Sequence, residues 1–173
     1  FGFRKAVASN DLPTIQSALS NHGQRVSANV MMLAGLDGAV VAATGDAQAS
    51  GKAFPFADLL QTAQARGQAF AIVALDTRLV QLLVVPVLAP DPVAWVAIGF
   101  AIDDKVAGDL KSLTSLDVSF LVAHSAAPPA LLATTLPAEL REPARSALGA
   151  TALPVHGHAG SLHLGMRPFE TTL

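Results

Sequence analysis

The chain has 173 residues, 51% of them hydrophobic and 14% charged, with a mean hydropathy of +0.47. That composition excludes a disordered segment and allows one large domain or two small ones. The net charge of −2 comes with neither a basic stripe nor an acidic tail, which argues against nucleic acid as a partner, and the absence of cysteine removes disulfides, thiolate nucleophiles and cysteine metal sites together.

Phe1 to Arg4 shows neither a starter Met nor an apolar leader, which predicts a fragment of a longer protein. The stretch Leu79 to Ala101 contains no Lys, Arg or Glu, but Ala89-Pro90-Asp91-Pro92 interrupts it. Each remaining run is too short to span a membrane as a helix, so the stretch reads as two buried strands and a turn.

The first helix is predicted from Asn10 and Asp11 as cap residues and Pro13 in the first turn. Ile15, Leu19 and His22 share its apolar face, and Gly23 is its expected stop. Phe3 and Val7 suggest an earlier helical stretch. Val30, Met32 and Ala34 then alternate, Leu36-Asp37-Gly38 makes a tight turn, and Val40 to Thr44 runs back as the second arm of a hairpin. Asp46 to Ala53 is small and polar, a loop. Phe56, Leu59 and Leu60 form the stripe of a short helix with Asp58 outward and Gly67 as its stop.

Three strands follow: Ala69 to Leu75, Leu79 to Leu88 and Val93 to Ala101. Their near-continuous apolar character predicts burial on both faces, and Pro86 predicts an edge or a bulge. Asp103 or Asp104 caps a helix through Leu110 and Leu113 to Ser115. The expected solution is an α+β layer structure with a five-stranded antiparallel sheet.

The remainder reads as a smaller α+β module. Leu116 to Val122 and Ala130 to Leu136 are strands, and Pro137 opens a helix through Glu139, Arg141, Arg145 and Leu148, broken or kinked at Pro143 and stopped at Gly149. Ser161 to Phe169 is a further strand whose partner is expected beyond Leu173. The domain division is an N-terminal signalling helix over 1–26, a first module over 27–115 and a partial second module over 116–173.

Three residues are candidates to line a ligand pocket. Gln81 is an amide in an apolar strand and needs a partner; Arg78 can bind a carboxylate or phosphate in bidentate fashion; Trp95 offers a flat apolar wall with one N–H donor. The competing reading makes Arg78 a solvated turn residue, pairs Gln81 with backbone and packs Trp95 under the first helix. His156, His158 and His163 are weak metal candidates, set against a Gly157, Gly160 and Ser161 loop, with no Cys nearby and Glu170 the only acidic neighbour downstream. No Gly-x-Ser-x-Gly, dinucleotide-binding or true phosphate-loop pattern is present, Gly45 to Lys52 having the wrong spacing. No enzyme and no cofactor is expected.

Several runs carry a family resemblance: Asn10-Asp11-Leu12-Pro13-Thr14-Ile15, Asn21-His22-Gly23-Gln24-Arg25, Met31-Met32-Leu33, Val84-Val85-Pro86-Val87-Leu88-Ala89-Pro90, Ala94-Trp95-Val96-Ala97-Ile98-Gly99-Phe100, Asp103-Asp104, Asp109-Leu110-Lys111 and Leu116-Asp117-Val118-Ser119-Phe120-Leu121. Over roughly residues 10 to 140 the chain resembles the periplasmic double Cache (PAS-like) sensor domains that precede GGDEF and EAL domains in bacterial cyclic-di-GMP enzymes. The resemblance implies a membrane-distal Cache module that binds a small molecule and a proximal module that passes the change on. It also implies a homodimer through the N-terminal helix, a periplasmic location, and membrane anchors and output domains outside this fragment. Amino-acid-sensing Cache receptors use a pattern of Tyr, Arg, Trp, Tyr and Asp around the ligand, and this chain has no Tyr, so that ligand class is not supported. The alternatives are a degenerate Cache module with a structural or protein-interaction role, and a cytosolic PAS-type cofactor domain, for which no haem- or flavin-binding constellation is found.

Overall fold

The computed structural model describes residues 6–7, 11–46, 48–75, 78–122, 129–150, 159–164 and 167–172, with side chains described through residue 148. The chain divides into two compact units, Phe1–Leu75 with Val80–Ala101, and Asp76–Leu79 with Ile102–Leu173. The division falls after Ala101, earlier in the chain than the expected boundary at 115/116.

The first unit is α+β. Helix α1 (Leu12–Val26) is followed by β1 (Val30–Ala34), β2 (Val40–Ala43), α2 (Ala57–Arg66), β3 (Ala69–Leu75), β4 (Arg78–Leu88) and β5 (Pro92–Ile102). The strands form one five-stranded antiparallel sheet in the order β2-β1-β5-β4-β3. The first strand therefore pairs with the last, and the sheet closes around β5 at its centre.

Local chemistry sets the element ends. The Asp11 carboxylate accepts from the Thr14 backbone N–H at 3.3 Å and from its hydroxyl at 2.7 Å, satisfying an orphan donor of the first turn. The helix runs past Gly23 to a left-handed cap at Ser27. Gly23 is instead buried against the sheet, where its missing side chain lets α1 approach Met31, so the expected stop is a contact point. His22 is exposed, and Ile15, Leu19 and Gly23 make the buried stripe. The Asp37-Gly38 turn forms as expected: Gly38 takes φ +82°, and the Asp37 carboxylate accepts from the Ala39 N–H at 3.0 Å. Gly67 caps α2 at φ +82°.

The two faces of the sheet carry two separate apolar layers. Ile15 and Leu19 of α1 pack on Met31, Leu33, Ala42 and Val96, with Ala6 joining them. On the opposite face Phe54 and α2, through Leu60 and Ala63, cover Ala34, Val40, Leu82, Val84, Trp95 and Ala97. Burying each Leu- or Ile-sized side chain contributes about 1.5–3 kcal/mol, so these layers hold the unit together.

Burial on both faces holds for the centre of the sheet and fails at its β3 edge. Phe70 and Ile72 alternate with half-buried neighbours and are 74% and 58% exposed. α1 is a single helix seated on β1 and β2, so its cover does not extend to the outermost strand. Pro86 lies in β4, which has neighbours on both sides in the strand order. β4 has eleven residues against seven in its neighbour β3, so part of β4 has no β3 residue opposite it, and a proline is tolerated where a strand lacks a ladder partner.

In the second unit Asp103 caps α3 (Asp104–Thr114), accepting from the Lys105 and Val106 N–H groups at 3.0 and 3.1 Å. Strands β6 (Ser119–Val122) and β7 (Ala130–Thr134) pair antiparallel, and α4 (Ala138–Ala150) lays Ala144 and Leu148 on Leu131 and Leu136. Of the break or kink expected at Pro143, the break does not occur: α4 continues through it. Pro143 and Glu139, whose carbonyl loses its helical partner, are both exposed, so the missing bond falls on the solvent side of the helix. Strands β8 (Ala159–Leu164) and β9 (Arg167–Thr172) pair with each other. The partner expected beyond Leu173 thus lies within the chain.

Candidate functional site

The first unit builds its candidate site in rows across the sheet. Ala34 of β1 pairs with Trp95 of β5 on one side and Val40 of β2 on the other, and all three face the α2 layer. The next row on that face is Ala43, Met32 and Ala97. Between the rows the register slips, with Leu33 opposite Ala42 but Ala34 opposite Val40, so Val41 is an extra residue. This bulge lets Val41 and Ala42 both serve the α1 layer while Val40 turns toward Trp95.

The segment after the hairpin is more than a loop. Ala53 bridges Ala39, the Val40 N–H donates to Lys52 O at 2.8 Å, the Gly51 N–H donates to Val40 O at 2.8 Å, and the Phe54 N–H donates to Gly38 O at 2.9 Å. These bonds close the free edge of β2 and hold Phe54 over the sheet. Phe54 and Phe56 meet edge to face, with centroids 6.0 Å apart at 75°. The aromatic pair in the same layer as Trp95 was not singled out from the sequence; the Phe54-Pro55-Phe56 run, two large rings close together, is the signal that carries it.

Trp95 is 5% exposed, and among the described residues its indole N–H has no hydrogen-bond partner. It lies on the α2 side of the sheet, so the reading that packs it under the first helix does not hold. An N–H buried without an acceptor costs about 1–3 kcal/mol, and native structures retain few of them. Every other member of that buried cluster has a hydrocarbon side chain.

Gln81 and Arg78 are placed differently. Gln81 is exposed; Val80 and Leu82 are the buried residues beside it, so alternation along β4 turns Gln81 away from the face that Leu82 shares with Trp95. The expectation of a buried amide fails because that face of the sheet is open near β3. Arg78 is exposed at the start of β4 and groups with the second unit, whereas Gln81 and Trp95 group with the first. Trp95 alone of the three is enclosed.

The second unit carries a polar network that was not foreseen. Asp104 accepts from the Thr134 N–H at 2.8 Å and pairs with Arg141 at 3.0 Å, while Arg141 Nε donates to Leu136 O at 3.1 Å. The Thr134 bond, aided by Arg141, holds the Asp104 carboxyl below the usual aspartate range. Asp117 takes Lys111 at 2.6 Å and the Thr135 hydroxyl at 2.9 Å, and these two bonds lower its pKa in the same way. Asp104 stands 30 residues from Thr134 and 37 from Arg141, so no local pattern announces that network. Both networks tie α3 to β7 and its flanks, which is why α3 groups with the second unit. His156 and His158 lie outside the described residues; His163 stands opposite Pro168 in the β8–β9 pair. Among the described residues no group of three or more His, Asp or Glu is placed to hold a metal, and no helix is long and apolar enough to cross a membrane.

An antiparallel five-stranded sheet between helical layers, followed by a smaller α+β unit, is the architecture of a tandem sensory module of the Cache and PAS-like kind. Residues 1–170 match the family model dCache_3, the double sensory domain of two-component sensor kinase, and the chain belongs to that family. It is a sensory domain of a signalling receptor, a non-catalytic family. No curated protein matches the chain.

Proposed function

We propose that this chain is the extracytoplasmic sensing part of a membrane-bound bacterial receptor, and that its first unit binds a small molecule between the sheet and α2. The observation that carries the reading is Trp95: a buried N–H donor without a partner among the described residues, in the layer enclosed by α2 and the pinned Phe54 segment. Binding there shifts the receptor only if one conformation holds the molecule more tightly. α1, seated on the other face of the same sheet, is the element that passes the shift on, within a homodimer formed through this helix.

The output is cyclic-di-GMP synthesis or degradation in the resemblance of residues 10 to 140, whereas the family description names a sensor kinase, which favours phosphotransfer. Assaying the full-length receptor in membranes for both activities decides between them. A second functional reading, a structural or protein-interaction module, is favoured by the exposed Phe70 and Ile72.

A thermal-shift screen against small carboxylates, amines, purines, metal ions and neutral organic molecules tests the sensor reading. A concentration-dependent rise in Tm supports it through linkage. No response from any class moves the weight to the structural module.

A further inference from the structure

We infer that the molecule taken up beside Trp95 is small, uncharged and mostly apolar, and carries a hydrogen-bond acceptor; this rests on the sensor reading above. The indole N–H is a donor only, so its complement is an acceptor such as a carbonyl, ester or ether oxygen. The rest of the buried layer has hydrocarbon side chains, among them Ala34, Val40, Phe54, Leu60 and Ala97. Such a layer matches the common form of a ligand site, predominantly apolar with very few polar groups fixing orientation.

The charged side chains on the enclosing segments point the other way. Asp37, Lys52, Asp58 and Arg66 are all exposed, and Asp37 is engaged with the Ala39 N–H. A carboxylate or an ammonium entering the layer would leave water without a counter-ion, which is far more costly than burying a carbonyl that accepts from Trp95. Arg78 and Gln81, the two side chains suited to hold an anion or a polar head, are exposed at β4 and outside this layer. The site therefore discriminates by charge: it admits ketones, esters and lactones and rejects organic acids and amines of the same size.

Trp95 is the chain's one tryptophan, and tyrosine is absent, so intrinsic fluorescence reports on this site alone. The experiment titrates the 173-residue chain with matched probes: acetophenone, methyl benzoate and cyclohexanone against benzoate, benzylammonium and cyclohexanecarboxylate. Neutral probes are expected to change Trp95 fluorescence saturably and to raise Tm, and their charged counterparts to do neither. Trp95→Phe keeps an aromatic side chain, though a smaller one, and removes the donor; followed by thermal shift, it is expected to weaken the neutral probes about five- to tenfold, the equivalent of one hydrogen bond.

Saturable binding of a charged probe, as tight as its neutral counterpart and with a change at Trp95, overturns the ligand class and leaves the sensor reading standing. Undiminished binding of the neutral probes to Trp95→Phe overturns the role of the donor. Silence from this panel, with a hit of another class in the broad screen, overturns the inference alone; silence from both overturns the sensor reading with it. The fluorescence titration uses the unaltered chain, so the outcome does not depend on the variant folding.

Discussion

Gly23 of α1 lies so close to Met31 of β1 that a Cβ on the glycine would stand 3.1 Å from the methionine Sδ and 3.3 Å from its Cγ. This contact seats the helix on the sheet face opposite Trp95. It is the lower end of the Ile15, Leu19, Gly23 stripe, the only part of α1 that is buried.

The contact predicts a size-dependent response at position 23. Gly23→Ala gains about 1 kcal/mol of helix propensity, and the flexible Met31 side chain can yield a few tenths of an ångström, so stability is expected to hold or rise. Gly23→Leu cannot be accommodated that way and is expected to cost about 1–3 kcal/mol. Chemical denaturation of the two variants checks both signs.

Gly99 offers a stricter case at the centre of the sheet. A Cβ there would meet Val80 Cγ1 at 2.8 Å, Val30 Cβ at 3.3 Å and Leu82 Cδ1 at 3.4 Å. The first two are branched or backbone-proximal atoms in strands on either side, and neither can swing away. Gly99→Ala is expected to lower stability by about 1–3 kcal/mol, the cost of overpacking, and to lower Tm in calorimetry.

Asp104 supplies a pH-dependent term in the second unit. Its folded-state pKa lies below its unfolded one, so its contribution is present in full above the ordinary aspartate value of about 3.9 and is lost as pH falls through the lower folded value. The carboxylate is about half exposed (51%), so solvent screens the ion pair with Arg141. Asp104→Asn keeps an acceptor for Thr134 and is expected to cost less than about 1 kcal/mol. Asp104→Ala loses both bonds and is expected to cost about 1–2 kcal/mol at neutral pH. Unfolding curves from neutral pH down through the aspartate range should show the difference from the parent shrinking in acid.

Phe70 and Ile72 face solvent from the edge strand β3. Replacing both by Thr keeps a strand-forming side chain and removes exposed apolar surface. Folded stability is expected to change by less than about 1 kcal/mol, while self-association at high concentration, followed by light scattering, should fall.

Much of the first unit was legible because its signals are local. The Asp11 cap, the Asp37-Gly38 turn, the Gly67 stop and the alternating apolar strands each act within a few residues, and they suffice to order the elements of an antiparallel sheet. What depends on tertiary neighbours was not legible. Gly23 reads as a helix stop by chain pattern, yet it serves close packing against Met31. Gln81 reads as buried because its strand is apolar, but burial is decided by which helix covers which face. The same limit applies to the Asp104–Arg141 pair, whose partners lie far apart in sequence. Trp95 was identified as a candidate from its chemistry, a large ring with one donor; the lack of an acceptor around that donor could come only from the packed structure.

The central claim, that the first unit binds its ligand in the Trp95 layer, is tested most directly by hydrogen–deuterium exchange with and without the strongest-binding probe. Slower exchange is expected in Gly51 to Leu60, where the pinned segment and α2 enclose the layer, and in β5 around Trp95. Protection confined to α3, β7 and α4, with Gly51 to Leu60 unchanged, would contradict it and place the binding site in the second unit.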